Sequence, residues 1–376
     1  MSAYRPTLAV HVIWHPACVP AGRYAEALFA HLFEDPDDLA SHGLRIPVRL
    51  WRSTGTGGSG DPPPPAVPPL KDSERAMVVV LIDAEFAADP GWRSSLDALA
   101  AARREADLIV PVAMTASVLD IQSPLFDKQG IRLFAVEDEA LRESYLVNRV
   151  THALCRLFAG TEDPVEVFIS HAKRDGVEIA EMVRTYLHRD SGIGEFFDAQ
   201  NLLEGTKWAD QIRAAAANSV LLAIRTDQYA TREWCGIEVI EAKRAGAPVI
   251  VLDALHTLEA RGFPYLGNAP SVRWREGSRE AMEHLLGVVL RETLRFRYFP
   301  ARVKDLCCAY DLADHDRVLA RPPELLTVLR ERERDRSAAT PLVYPDPPLG
   351  TDELALVTEF APDLRMITPT ALIASG

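Results

Sequence analysis

The sequence predicts an α/β fold in which parallel sheets are covered by helices on both faces. Short apolar runs of strand length alternate with helical patterns along most of the chain, which is the pattern of parallel strands joined by crossover helices. The 376 residues are enough for two domains of ordinary size. Hydrophobic residues at 48% and charged residues at 25% are average for folded globular proteins. We therefore expect two three-layer, parallel-sheet units in tandem and a small C-terminal extension.

The first half of the chain contains one complete set of such elements. Strands are predicted at 8–14, 44–51, 77–82, 108–112 and 131–136, and helices at 22–33, 91–104 and 138–158. The segment 54–69, TGTGGSGDPPPPAVPP, is predicted to be a surface excursion. A phosphate-binding loop is disfavoured there, because no helix start with Lys and Ser or Thr follows the glycines.

A second set of elements begins after the polar segment TEDP at 161–164. Strands are predicted at 165–170, 194–197, 220–224 and 248–252, and helices at 176–188, 208–217, 233–245 and 279–295. The remaining chain predicts a helix at 323–334 and a βαβ-like tail at 342–367, which could extend either sheet or bind a partner. These patterns predict domains at 1–160 and 164–296 and an extension at 297–376.

Charge and cysteine content exclude several classes of protein. A net charge of -13 argues against direct nucleic-acid binding as the main function, because phosphate contacts need clustered Lys and Arg. Five cysteines without a CxxC pair favour a reducing compartment, and the interrupted apolar N-terminus predicts neither a membrane span nor a signal peptide. We expect a cytoplasmic protein. No His and Cys cluster predicts a metal site, and no GxGxxG loop predicts a dinucleotide cofactor.

Three motifs within residues 165–295 carry a family resemblance. VFISHAKRD at 167–175 covers a strand and its following loop, FFDAQNLLEGTKW at 196–208 covers a second strand and loop, and YATREWCGIEVIEA at 229–242 contains a WCxxE pattern. In this order and spacing they resemble the bacterial type of Toll/interleukin-1 receptor (TIR) domain. The resemblance covers about a third of the chain.

The resemblance implies one of two activities, NAD+ cleavage or assembly. In the enzymatic members, a Glu matching Glu238 contacts the ribose attached to nicotinamide, so Glu238 is the candidate catalytic residue. The resemblance and the predicted crevice at the strand ends imply that the following residues bind substrate: Phe168, Ser170, His171, Arg174, Asp198, Trp208, Trp234 and Cys235. NAD+ would be a consumed substrate, and no cofactor is expected. A surface carboxylate near the positive end of the helix dipole is the alternative reading of Glu238.

The loop at 198–205 matches the BB loop, through which TIR domains of the family self-associate. The candidate assembly residues are Asn201, Leu202, Leu203 and Gly205. The resemblance implies an NAD+ glycohydrolase effector of bacterial antiphage or stress defence, activated by assembly in response to an unknown signal or partner. The alternatives are a non-catalytic module acting through homotypic TIR contacts and, less favoured, a nucleoside-processing hydrolase, for which no further carboxylates occur at matching spacing.

The N-terminal unit repeats one spacing of the TIR-like unit. Ile82 to Trp92 and Ile224 to Trp234 are each ten residues apart, begin at a strand end and enclose an aromatic residue. This predicts a degenerate TIR-like or flavodoxin-like unit in which Leu96 stands at the position of Glu238, so that this copy is catalytically silent. A coincidence between two generic α/β units is the alternative.

Overall fold

The computed structural model describes residues 4–33, 44–52, 67–120, 130–160, 165–191, 197–198, 219–257, 259, 261–275, 277–312, 317–334 and 341–375. The chain divides into two compact units, Met1–Val150 and Thr151–Gly376. The division into three domains stays a prediction. Within the described residues, no helix is long and apolar enough to cross a membrane.

The first unit is built on a five-stranded parallel sheet with the order β2-β1-β3-β4-β5. Its strands are β1 Leu8–Trp14, β2 Val48–Trp51, β3 Arg75–Ile82, β4 Leu108–Ala113 and β5 Ile131–Arg132. Nearly every residue of β1 and β3 is buried, which explains their continuous apolar runs, because a central parallel strand is covered on both faces.

The helices described in residues 4–160 are α1 Val19–Leu32, α2 Ala84–Ala88, α3 Pro90–Ala102 and α4 Arg142–Ala159, the last of which runs across the boundary between the two units. Asp83 caps α2 by accepting from the Phe86 N–H at 2.9 Å, and Asp89 caps α3 by accepting from the Gly91 N–H at 2.7 Å. These two caps start two separate helices, whereas a single helix at 91–104 was predicted.

Residues 131–136 were predicted to be one strand, which is wrong. Only Ile131 and Arg132 form a strand, and Leu133–Ala135 forms a 3₁₀ turn. Ile131 and Arg132 pair with Val112 and Ala113. Because β4 ends at Ala113, it offers no residue with which Leu133 could continue the pairing.

The second unit has its own five-stranded parallel sheet with the order β10-β9-β8-β6-β7. Its strands are β6 Glu166–His171, β7 Phe197–Asp198, β8 Ser219–Arg225, β9 Val249–Asp253 and β10 Ser271–Arg273. Strand β10 was not predicted. When the strands of each sheet are counted from one, both sheets have the order 2-1-3-4-5, which is that of flavodoxin-like folds. The predicted fold class is confirmed.

Among the described residues, three helices accompany this sheet: α5 Val177–Thr185, which continues as a π turn over Tyr186–Asp190, α6 Glu233–Ala245 and α7 Arg279–Tyr310. The bounds of α6 were predicted correctly. The helix predicted at 208–217 lies outside the described residues. Helix α7 was predicted to end at residue 295 but continues for 15 more residues with Pro300 inside it. Its second half is stabilised by burial of Phe299, Val303 and Cys307 against the extension, which offsets the cost of the proline.

The extension contains α8 Leu325–Arg334, β11 Leu342–Val343, α9 Thr351–Phe360, β12 Met366–Ile367 and α10 Pro369–Ser375. Strands β11 and β12 pair with each other in a separate parallel sheet. The tail therefore extends neither five-stranded sheet.

Candidate functional site

The candidate site lies where β6 and β8 end and α6 passes over them. Ser170 is the penultimate residue of β6, and Tyr229 follows β8 on a short 3₁₀ turn. Their hydroxyl oxygens are 2.8 Å apart, and both residues are buried, with 3% and 1% of their surface exposed. This pair forms the floor beneath α6 at the carboxyl edge of the sheet, where open α/β sheets bind ligands.

Glu238 is half-buried on the second turn of α6. Burial raises the pKa of its carboxyl to about 7, because the charged form loses solvation, and a hydrogen bond with the Ser170 hydroxyl partly offsets that rise. The carboxyl therefore changes its charge near neutral pH. A carboxyl with such a pKa is suited to proton transfer and to stabilising a nearby cation.

The hydrogen bonds around Ser170 have a preferred direction when Glu238 is ionised. A carboxylate only accepts, so the single Ser170 proton is donated to Glu238. Tyr229 must then donate its proton to the Ser170 oxygen. The two hydroxyls thus form a short chain beside the carboxylate.

Two of the predicted substrate-binding residues are core residues in the structure. Phe168 and Cys235 are 6% and 4% exposed and pack in one apolar cluster with Tyr229 and Val239. Burial raises the pKa of the Cys235 thiol to about 12, so at neutral pH it is protonated and a poor nucleophile. Contact between these two residues and a substrate stays a prediction.

The other predicted contact residues differ in position and exposure. Trp234 is 53% exposed and lies one helical turn before Glu238, so its indole is on the same side of α6. His171 ends β6 and is half-buried; burial lowers its pKa, so the imidazole is neutral at pH 7. Arg174 is exposed on the following loop, and Asp198 ends β7 beside Val167.

Five of the predicted residues lie outside the described residues. They are Trp208 and the candidate assembly residues Asn201, Leu202, Leu203 and Gly205. Among the residues that the structure does describe, no group of three or more His, Cys, Asp or Glu is arranged to hold a metal ion.

Comparison with known proteins identifies the domain that contains this site. A family profile described as the TIR domain matches residues 167–286. These residues form a TIR domain. The N-terminal unit is outside this match, and its relation to TIR domains is not confirmed. No curated protein matches the chain.

One solved structure aligns over much of the chain, the C-terminal domain of glucosamine-fructose-6-phosphate aminotransferase from Francisella tularensis. The alignment covers 78% of this chain and 84% of the other chain at 10% identity, with a TM-score of 0.21. A score this low supports no argument about fold or function.

Three loops at the carboxyl edge of the TIR sheet are tied together by carboxylates that were not identified from sequence. Asp175, after β6, accepts from the Thr226 hydroxyl at 2.8 Å and the Gln228 N–H at 3.1 Å. Asp227 accepts from the His256 N–H at 2.9 Å and the Thr257 hydroxyl at 2.6 Å. These bonds hold the loops after β6, β8 and β9 in register around the site.

Tyr229 is the most informative residue that sequence reasoning missed. The spacing pattern identifies this position only as aromatic, because Tyr and Phe fit an apolar pattern equally well. The hydroxyl bonds to Ser170, and hydrogen bonding by Ser170 lowers the pKa of Glu238. A sequence signal did exist: Phe86 is the aromatic at nearly the same place in the N-terminal unit.

Proposed function

We propose that the TIR domain cleaves the bond between nicotinamide and ribose in NAD+, with Glu238 as the catalytic residue. The observation that carries the proposal is the half-buried Glu238 carboxyl, with a pKa near 7, beside Ser170 at the carboxyl edge of the sheet. A structural surface carboxylate would remain solvated, and its pKa would stay near its ordinary value.

One carboxylate is sufficient for this reaction because of the leaving group. As the bond between the nicotinamide nitrogen and ribose C1′ breaks, its electron pair neutralises the pyridinium, so no acid has to protonate the leaving group. Ordinary glycosides need a second carboxyl for that step. Ionised Glu238 stabilises the positive charge that develops on the ribosyl ring, and it accepts a proton when water adds to C1′ to give ADP-ribose.

The surrounding residues support this chemistry in separate ways. The Tyr229–Ser170 chain favours the charged form of Glu238, and the exposed Trp234 indole offers a flat face to an aromatic ring of the substrate. His171 is neutral and can exchange hydrogen bonds with ribose hydroxyls.

The test is to mix purified full-length protein with NAD+ and to measure free nicotinamide. Glu238→Gln keeps the size of the side chain but removes the charge, and we expect release to fall by at least about 100-fold. Glu233→Gln is the matched control, because Glu233 is exposed on the first turn of the same helix. Because activity in TIR enzymes depends on assembly, each protein is measured with and without a crowding agent. Absence of release in every condition, or equal release by Glu238→Gln, overturns the proposal.

We further propose that self-association through the loop at 198–205 switches this activity on. Leu202→Asp is expected to prevent both assembly, measured by light scattering, and nicotinamide release. Loss of assembly without loss of release would separate the two and contradict this part of the proposal.

A further inference from the structure

A cavity of about 480 Å³ lies in the second unit, between the end of α6, the middle of α7 and the segment 317–334. Its volume is within the range of small-molecule sites. The lining begins on α6 at Lys243, more than a full turn beyond Glu238, so the cavity is separate from the candidate catalytic site. Neither the motifs nor the family match assign a function to it.

Cations outnumber carboxylates among the residues that line the cavity. The cationic residues are Lys243, Arg244, Arg321, Arg330 and Arg334, and the acidic residues are Glu292, Glu324 and Glu331. Each cation already faces a carboxylate: Lys243 pairs with Glu324, Arg244 with Glu241, Arg321 with Glu292, and both Arg330 and Arg334 with Glu331. Two cations thus share one carboxylate, and a further anion at that point reduces the repulsion between them.

The arginines converge most closely at Glu331, which is only 1% exposed. Arg330 donates to its Oε1 from Nε at 2.8 Å and contacts the same atom from Nη2 at 2.7 Å. Nitrogens of Arg317 and Arg334 lie 3.7 and 3.9 Å from its Oε2, which is buried and has no hydrogen-bond partner within the described residues. Three guanidinium groups therefore share one carboxylate, and two of them, those of Arg330 and Arg334, line the cavity, where a second anion can accept charge-assisted hydrogen bonds.

Part of the cavity lining is apolar. Phe296 and Pro300, both half-buried on α7, line it together with Val318 and Leu319. A ligand that fills the whole cavity must therefore join an anionic group to a flat apolar group.

We propose that this cavity binds a small organic anion in which a phosphate or a carboxylate is attached to a flat apolar ring. The ring contacts Phe296 and Pro300, and the anionic group contacts Arg330 and Arg334. Binding at this site is independent of NAD+ cleavage, so the proposal stands whether or not Glu238 is catalytic.

The experiment is a titration of full-length protein followed by thermal shift and isothermal calorimetry. AMP probes the phosphate and benzoate probes the carboxylate, whereas adenosine carries a ring without an anion. We expect AMP or benzoate to raise the melting temperature and adenosine, at the same concentration, not to do so. Because AMP could also enter the catalytic site, the titration is repeated with Glu238→Gln, in which the shift is expected to remain.

Two arginines on one helix provide a matched pair of variants. Arg334 lines the cavity and its side chain is 52% exposed, whereas Arg332 pairs with Asp363 and its side chain is 38% exposed. Arg334→Ala is expected to weaken binding at least about tenfold and Arg332→Ala to leave it unchanged. Arg244→Ala, at a second half-exposed lining residue, is expected to weaken binding as well. Absence of a shift with both anions, a shift equal to that of adenosine, or equal affinity in the Arg334→Ala and Arg332→Ala variants overturns the proposal.

Discussion

The two five-stranded sheets share one strand order, but the surroundings of their corresponding helices differ in polarity. Ser170 pairs with Ala223, the residue before Ile224, and Trp14 pairs with Leu81, the residue before Ile82. Strand register and spacing therefore match Ser170 with Trp14 and Glu238 with Leu96.

The aromatic residue that follows the central strand is also more polar in the TIR domain than in the N-terminal unit. Tyr229 follows Ile224 by five residues, and Phe86 follows Ile82 by four. Trp14, Phe86 and Leu96 are all at most 6% exposed. Three polar groups of the TIR domain thus correspond to three core side chains in the N-terminal unit. The same strand order is therefore compatible with a half-buried carboxyl in one unit and an apolar core in the other, depending on these positions together.

Exchanging the two helix residues tests this comparison most strongly. Leu96→Glu places a carboxyl in a core that contains no hydroxyl at the matching positions, and we expect a loss of about 4 kcal/mol in unfolding free energy. The loss is expected to be larger at pH 8 than at pH 5, because the carboxyl is charged only at the higher pH. Urea unfolding at both pH values measures it.

The reverse exchange, Glu238→Leu, is expected to raise stability. The folded pKa of Glu238 lies above its unfolded value, so its unfavourable contribution grows as the pH rises from about 4.5 to about 7. At pH 8 this contribution reaches at most about 3 kcal/mol. If Leu96→Glu and Glu238→Leu change the unfolding free energy by the same amount, the proposed difference between the two units is wrong.

The ends of the corresponding helices offer a second, smaller test. The residue that follows α6 is Gly246, with φ +77°, whereas the residue that follows α3 is Arg103, with φ −61°. A Cβ at position 246 would lie 2.7 Å from Nη1 of Arg330. Gly246→Ala therefore combines left-handed strain with a clash, and we expect a loss of about 2 kcal/mol.

Gly160→Ala is the control for Gly246→Ala, because Gly160 has φ +63° with no atom within 4 Å of an added Cβ. It is expected to lose about 1 kcal/mol through strain alone. Thermal unfolding of both variants measures the loss of unfolding free energy. Equal losses would show that the Arg330 side chain moves away from the added Cβ at no energetic cost.

The smallest expected effect concerns the hydroxyl chain beneath Glu238. Ser170 lowers the pKa of Glu238 by hydrogen bonding, so Ser170→Ala is expected to raise that pKa. The pH at half-maximal nicotinamide release then moves upward, by less than about one unit, because release needs the carboxylate. Tyr229→Phe is expected to cause a smaller movement in the same direction.

Tyr265→Phe provides the comparison for Tyr229→Phe, since Tyr265 is 37% exposed and its ring contacts Phe263. Its pH profile of nicotinamide release is expected to match that of the wild type. A profile that stays unchanged in Ser170→Ala would contradict the proposed role of the hydroxyl chain.

The local sequence pattern predicted those elements whose packing partners are all apolar. The apolar run of β1 and the bounds of α6 followed from the sequence, because both sides of β1 and the inner side of α6 meet apolar partners. The continuation of α7 through Pro300 did not follow, because it depends on burial against Val343 and Ile367, which lie more than 40 residues further along the chain. The cavity beside Arg330 depends in the same way on segments that are distant in sequence.

The sequence by itself determined the α/β class, the TIR motifs and the choice of Glu238, since each depends on residue type and spacing over a few turns. The tertiary structure decided the environment of that carboxyl. Ser170 and Tyr229 come from different strand ends, 59 residues apart, and meet only when β6 and β8 pair. Desolvation and hydrogen bonding by such neighbours set the pKa, and this is why the charge of Glu238 near pH 7 could not be predicted from its motif.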